Sequence, residues 1–470
     1  MKPFSIAAIS WLFATQVAAA PPHLNARARG IGLAPNATAT RVQSACAAKS
    51  PTTSATLSIG TPGASAPNSP PAPDAPGTAV NGLVSALYYS NTYVKQALKI
   101  EPDQLPVSNI TRILYAFGKI AADGTVSAGD AQTDLEAKTG ANLPEEAGKT
   151  NAYGRVRKIN LIKRANRHVK VLLSIGGWGA DQYLSAAAST EAGRNRFAST
   201  AVELVTDWGF DGVDVDWEYV QTKADRANVV LLLKATRAAF DAYAVQNAPE
   251  YHFLITYASP AGAQNYKALD IAGMDPYIDT WNLMTYDYCG SWSDIATFQS
   301  NLYESAEFHT ETSSDEIISY YLSQGISPAK VHMGLPLYGH VFENTDGMGT
   351  KFNGTGPGEN GQPGTWWYKD LPKPGVYGTS DNKAGAAWSY DEKARELITY
   401  DDPGSAQLKA EYIKSKGLGG AFFWEANQDR TDSKSLVHLV AKKFTQPKLD
   451  SSMNLISYPT SKYDNIRLGA

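Results

Sequence analysis

Eight short apolar runs recur along the chain, with longer stretches of helical spacing between them. They are LVSALYY from Leu83, RILYAFGKI from Arg112, VKVLLSIGG from Val169, GFDGVDVDWE from Gly209, HFLITYAS from His252, IDTWNLMTYD from Ile278, KVHMGLPLYG from Lys330 and LGGAFFWE from Leu418. Strands buried on both faces of a parallel sheet read in this near-continuous apolar way, and their alternation with helices defines βα units. Eight such units close on themselves, so the predicted class is α/β, a (β/α)8 TIM barrel. An open doubly wound sheet would carry a Gly-rich phosphate loop after its first strand, and none follows Tyr89.

The intervening segments carry helix signals of their own. Val229, Leu232, Leu233, Thr236 and Phe240 fall on one stripe of a helix predicted over 224–243. Ser313 and Glu316 predict a capping box ahead of Ile317. From about His340 to Leu397 the chain is too long for an ordinary connection and contains GTWWYKDL and AAWSY. It predicts a small inserted α+β subdomain between the seventh and eighth strands, beside the barrel mouth. Barrel and insertion together span 81–445, and a turn-rich tail, 446–470, wraps the outside.

The N-terminus reads differently. Lys2, the apolar run through Ile6, Ile9, Trp11, Leu12 and Phe13, and small residues to Ala20 have the layout of a secretory signal over 1–20, cleaved after Ala19 or Ala20. Residues 21–80 are mostly Ala, Ser, Thr, Pro and Gly, too poor in large apolar groups to offset their ordering entropy, and are expected to be disordered or O-glycosylated. Sequons at Asn36, Asn109 and Asn353 agree with a secreted, extracellular protein. Cys46 and Cys289 are too few for a disulfide framework; they can pair, but a free or intermolecular thiol is the simpler expectation. A formal charge of -4 leaves no basic footprint for nucleic acid or for anionic membrane, and a monomer with a neutral, bulky substrate fits better.

The fourth run carries the chemistry. Along Asp211-Gly212-Val213-Asp214-Val215-Asp216-Trp217-Glu218, side chains alternate faces, so Asp214, Asp216 and Glu218 share one side and Val213, Val215 and Trp217 the other. Neighbouring like charges cannot all ionise cheaply, so this row holds a shared proton and raises the pKa of at least one member. Glu218 lies nearest the C-terminal end of the strand, where such barrels place their active sites, and is the natural proton donor. Asp211 is out of phase and is expected to be structural, at the strand entrance. Clustered carboxylates also bind hard cations, but the spacing is not that of a calcium loop. There is no HExxH, and the seven histidines are scattered, so neither metal nor other cofactor is expected.

These residues resemble those of a known family. DGVDVDWE matches the DxxDxDxE signature of glycoside hydrolase family 18, the chitinases, and Ser174-Ile175-Gly176-Gly177 matches its SxGG strand. Met284-Thr285-Tyr286-Asp287 and LGGAFFWE continue the match, which runs from about Leu83 to Phe444 and is most similar to secreted fungal chitinases with an inserted subdomain. The resemblance implies hydrolysis of chitin or chitooligosaccharides by a retaining mechanism in which the substrate's own N-acetyl group attacks. Glu218 would be the acid and base, Asp216 would orient the acetamido group, Asp214 would exchange a hydrogen bond with Asp216, and Tyr286 would donate to the acetamido carbonyl. Ser174 and Tyr88 resemble supports of Asp214.

Sugar rings present apolar faces, so a cleft for them needs aromatic platforms. By resemblance, Trp424 is the floor under the cleaved sugar, Trp178 and Trp292 are rim residues, and Met284, Asp287, Phe117 and Tyr338 line the cleft. Trp281, outside any family motif, is expected in the core; Trp366 and Trp367 suit either cleft wall or subdomain core. Two departures stand out: His340 replaces an Arg common in relatives, and Val220 replaces a proline that often follows WEY. An endo-acting chitinase is the leading expectation. An endo-β-N-acetylglucosaminidase acting on N-glycans, and a non-catalytic chitin-binding lectin, are the alternatives.

Overall fold

The computed structural model describes residues 81–91, 100–138, 150–359 and 362–469. The signal and low-complexity segments read from the sequence, with Cys46 and Asn36, lie outside the described residues. The strands are β1 (Val84–Ser90), β2 (Arg112–Ile120), β3 (Val126–Ser127), β4 (Lys170–Gly176), β5 (Gly212–Asp216), β6 (Leu254–Ser259), β7 (Thr280–Leu283), β8 (Val331–Pro336), β9 (Tyr338–Phe342), β10 (Thr365–Trp367), β11 (Gly378–Asp381), β12 (Ala386–Asp391), β13 (Glu396–Tyr400) and β14 (Gly420–Trp424).

Eight of them, β1, β2, β4, β5, β6, β7, β8 and β14, pair in parallel, and contacts of β1 with both β2 and β14 close the barrel. These are the eight apolar runs. Alternation along each strand separates two cores. Val84, Ala86, Tyr88, Leu114, Leu172 and Phe422 fill the interior, whereas Ile113, Tyr115, Val171, Val213 and Val215 face the surrounding helices. The longest helix, Lys223–Asn247, buries the predicted stripe of Val229, Leu232, Leu233, Thr236 and Phe240. At the helix Ser314–Ser323, Ser313 accepts from the Glu316 amide as predicted, but the Glu316 carboxylate takes the Thr312 hydroxyl, not the cap amide. Only that half of the box forms, because a nearer side-chain donor competes for the carboxylate. Among the described residues no helix is long and apolar enough to cross a membrane.

Between β8 and β14 the insertion is an antiparallel sheet of order β10-β9-β13-β12-β11, its helical content limited to a short 3-10 turn, Tyr368–Asp370. Its core also recruits Cys289, Ala296 and Phe298 from the loop after β7, packed with Phe342, Leu397, Ala384 and Ala386. Two separate insertions therefore build one lobe. Trp367 is buried, Trp366 lies under the Lys373 ammonium at 3.9 Å, and Trp281 is in the core with its Nε1 donating to Asp275. Cys289 is buried and donates to the Thr297 carbonyl.

The tail crosses the N-terminal ends of the barrel strands. Leu83 pairs with Leu449, Lys170 reaches Asp450 and Ser452, and the Leu455 amide donates to Asp211. Asp211 is a hub there, also accepting from the Val171 amide at 2.8 Å and the Tyr251 hydroxyl at 2.7 Å while pairing with Lys163 at 2.9 Å. Both ion-pair partners are buried. Removing one partner of a buried pair strands the other, so Asp211→Ala is expected to cost about 3–5 kcal/mol. Equilibrium urea unfolding measures it, and a loss below about 1 kcal/mol would refute the hub.

Candidate active site

β5 delivers the acidic row. Gly212, Asp214 and Asp216 point into the barrel, Val213, Val215 and Trp217 pack outward, and Glu218 follows just past the strand, partly accessible at the C-terminal mouth. Asp214 is fully buried and saturated. Its Oδ2 accepts from the Tyr88 hydroxyl at 2.8 Å and the Ser174 hydroxyl at 2.7 Å, and its Oδ1 from the Thr256 hydroxyl and from Asn282 Nδ2 at 3.1 Å. Burial pushes its carboxyl up, and these four donors pull it back.

Asp216 is different. It is buried, its Oδ1 has no hydrogen-bond partner, and burial together with the charges of Glu218 and Asp214 pushes its carboxyl well above the usual range. A buried acceptor without a partner has a lone pair available to a donor from outside. Burial, opposed by a hydrogen bond from Tyr219 and reinforced by Asp287, raises Glu218 to about 7. A carboxylic acid that keeps its proton near neutrality can donate it.

Aromatic rings surround this row. Trp424, at the end of β14, stacks on Phe117 with ring centres 5.8 Å apart and leans on Tyr88 at 5.1 Å. Met284 packs into the same interior cluster as Tyr286 and Tyr338. Trp178 is 52% exposed against Tyr219, and Trp292 is 37% exposed with its ring edge-on to His340. The two glycines after Ser174 are dictated by close approach. Gly176, at φ 119°, would drive a Cβ into the Asp216 carbonyl, and Gly177, at φ 85°, into the Phe117 ring.

On the lobe side, Asp287 adopts a left-handed backbone, φ 60°, as Asp tolerates, and directs one carboxylate oxygen at β9. It accepts from Tyr338 at 2.6 Å and contacts His340 Nε2 at 2.7 Å. His340, standing where the resemblance led to an expectation of Arg, thus reaches Asp287. Val220, directly after Glu218 and Tyr219, is buried.

The residues expected from the sequence to be catalytic, to line the cleft or to support it lie around this mouth or beneath it, except Asp211. Asp211 stands at the opposite end, where the entrance role places it. Thr256, Asn282 and Tyr219 were not foreseen as site residues. The first two are polar residues at inward positions of largely apolar strands; alternation places them inside but does not say which group they meet. Glu425, next to Trp424, is another unforeseen buried carboxyl; burial raises it to about 7 and Asn427 donates to it at 3.2 Å. No group of acidic, His and Cys residues suited to a metal ion occurs among the described residues.

A closed eightfold barrel with a row of inward carboxyls and an aromatic mouth defines a sugar-processing class of barrel enzyme. The chain belongs to glycosyl hydrolases family 18, whose profile matches residues 84–429. It is 41% identical over 418 residues to Endochitinase 1 of Metarhizium robertsii, covering 88% of this chain and 96% of that protein. It is 40% identical to Chitinase 1 of Aphanocladium album, with 83% and 91% covered. Among solved structures, the catalytic domain of the psychrophilic chitinase B from Arthrobacter TAD20 superposes with a TM-score of 0.70 at 27% identity, over 80% of this chain and 98% of that one.

The raised carboxyl gives a direct check. The Glu218 side chain is expected to titrate near pH 7 by carboxyl carbon NMR. Asp287→Asn removes a neighbouring negative charge and is expected to lower that midpoint; an unchanged or higher value would exclude the coupling.

Proposed function

We propose that this protein is a secreted chitinase that hydrolyses β-1,4 bonds between N-acetylglucosamine units with retention of configuration. The observation that carries the proposal is Glu218, a carboxyl held up to about 7 at the mouth, two residues on from a buried Asp216 that feels its charge and has one oxygen without a partner. The names of the fungal relatives, endochitinase and chitinase, point to the same substrate.

Glu218 gives its proton to the glycosidic oxygen while the acetamido oxygen of the same sugar attacks its anomeric carbon. The leaving chain departs with the proton and an oxazolinium ion remains. Asp216 accepts the acetamido N–H through its free oxygen and balances the positive charge that develops. Tyr286, buried among Tyr88, Tyr338 and Phe422, donates to the acetamido carbonyl and holds it in line. Glu218, now ionised, takes a proton from water as that water opens the ring on the face the leaving group vacated. Trp424 supplies the floor, and Trp178 and Trp292 offer platforms on the two sides of it.

An endo-β-N-acetylglucosaminidase would use the same carboxyls. The two exposed tryptophans favour a longer linear polymer. A lectin has no need of an acid near pH 7. Secretion rests on the signal-like residues 1–20, and Asn353, exposed on the lobe, is a site where the secreted chain can carry a glycan.

Glu218→Gln is expected to lower kcat on chitin oligomers by at least about 10²–10⁴-fold with binding kept, as measured by product release and calorimetry. Hydrolysis at an undiminished rate would remove Glu218 from the chemistry. Oligomers lacking the N-acetyl group at the cleaved sugar are expected to be inert, and N-acetylated ones to release the β anomer first by NMR. Turnover of the deacetylated oligomer would exclude substrate assistance.

A further inference from the structure

The barrel ladder breaks once beside the aromatic mouth. β2 pairs with β4 through Ala116 opposite Ser174 and then Gly118 opposite Ile175, so Phe117 is an extra residue with no partner on β4. A bulge of this kind re-aims the side chain it carries. On the other side, the pairing of β1 with β2 ends at Ser90 and Ala116, one residue short of Phe117.

Asn91, the first residue past β1, meets Phe117 with its side chain. Its own backbone amide donates to the Ala116 carbonyl at 2.6 Å, its Oδ1 accepts from the Phe117 amide at 3.1 Å, and its Nδ2 donates to the Phe117 carbonyl at 3.3 Å. A backbone amide only donates and a carbonyl only accepts, so a carboxamide, with one atom of each kind, matches both. Neither partner can reverse, and the orientation of Asn91 is thereby set.

Asp134 holds the same nitrogen from behind. Its two oxygens lie 3.2 and 3.3 Å from Asn91 Nδ2, and it also accepts from the Tyr115 hydroxyl and from the Asp130 amide at 3.0 Å. A Cβ at Gly129 would stand 2.1 Å from the Phe117 carbonyl oxygen and 2.6 Å from Asn91 Nδ2, so the chain leading to Asp134 packs directly on this pairing. Asn91 and Asp134 are both buried. Burying an amide and a carboxyl costs stability unless each is matched, and here both converge on the backbone of one aromatic residue.

The ring of that residue rests against Gly177 and stacks on Trp424, with planes at 28°. We propose that Asn91, oriented by Asp134, is a positioning residue that sets the Phe117 ring and, through it, the tilt of the Trp424 platform. The proposal rests on the reading of Trp424 as the floor under the cleaved sugar. A platform held at one angle before the sugar arrives binds it better than one that must be ordered on binding, and this needs no change at the carboxyls.

The first test uses the free, full-length protein. With 5-fluorotryptophan incorporated, the Trp424 fluorine resonance, assigned by Trp424→Phe, is expected to shift or broaden in Asn91→Leu. Those of Trp281 and Trp367, both buried away from Phe117, are expected to stay in place. Leu fills the space of Asn but cannot pair with the backbone. A Trp424 resonance that does not move, or that moves only together with the other two, overturns the proposal.

Affinity for an N-acetylglucosamine tetramer is then read by calorimetry in the Glu218→Gln background, where the oligomer persists. Asn91→Leu is expected to weaken binding about tenfold. With Phe117→Ala also present, the same substitution is expected to change binding by less than about twofold, since its route is gone. Additive losses overturn the proposal, because a generally loosened fold weakens both backgrounds alike. With Glu218 restored, the pH limbs of kcat/KM are expected to stay where they are in Asn91→Leu, and a displaced limb also overturns it. If Asn91→Leu fails to fold by circular dichroism, Asp134→Asn carries the same measurements. A loss of about threefold is expected there, and an unmoved resonance with unchanged affinity overturns the proposal. Undiminished tetramer binding by Trp424→Ala would strike the functional reading, whereas undiminished binding by Asn91→Leu alone strikes only this inference.

Discussion

Three carboxyl groups in one line inside a closed barrel repel one another, and most of the site can be understood as the means of holding them there. Charges about 7 Å apart, two residues along a strand, oppose each other by about 2 kcal/mol at an effective dielectric near 20. That is more than one pKa unit of differential cost, before burial is counted. The row meets the cost unevenly. Asp214 is surrounded by four donors, Asp216 has one oxygen with none, and Glu218 sits at the mouth with one from Tyr219. The uneven supply of donors along the row becomes an uneven proton affinity.

The barrel makes that gradient possible because adjacent parallel strands aim side chains from four directions at one point. The donors to Asp214 come from β1, β4, β6 and β7, and no local segment could supply them. The outer helices contribute by burying the alternate residues of the same strands, which fixes the register. A slip of one residue on β5 would exchange Asp214 and Asp216 for Val213 and Val215. The apolar outer face therefore enforces the polar inner one.

How much of this could be read from the sequence follows from which distances matter. The eight strands, the inward phase of Asp214 and Asp216, and the entrance position of Asp211 are consequences of period-two alternation within a single run. Asn282 and Thr256 were hidden because each is a lone polar residue whose meaning depends on a partner on another strand. The lobe was half legible: the length of the 340–397 stretch announced it, but the share contributed by Cys289, Ala296 and Phe298 depends on packing between segments far apart in the chain. The box at Ser313 failed in part for a similar reason, since Thr312 outcompetes the cap for Glu316.

The lobe is also more than a wall. Its first strand, β9, continues from β8 after a single residue and carries Tyr338 and His340, the two groups that hold Asp287. Asp287 in turn raises Glu218, so a substitution at the base of the insertion reaches the proposed acid through one intermediary. His340 presents a compact imidazole at the position where the resemblance led to an expectation of Arg with its planar fork. The same ring meets the edge of Trp292 at 5.6 Å, so the rim platform and the acid share a support. One side chain thus touches both the carboxylate that raises Glu218 and the ring at the rim, so a change at His340 bears on both.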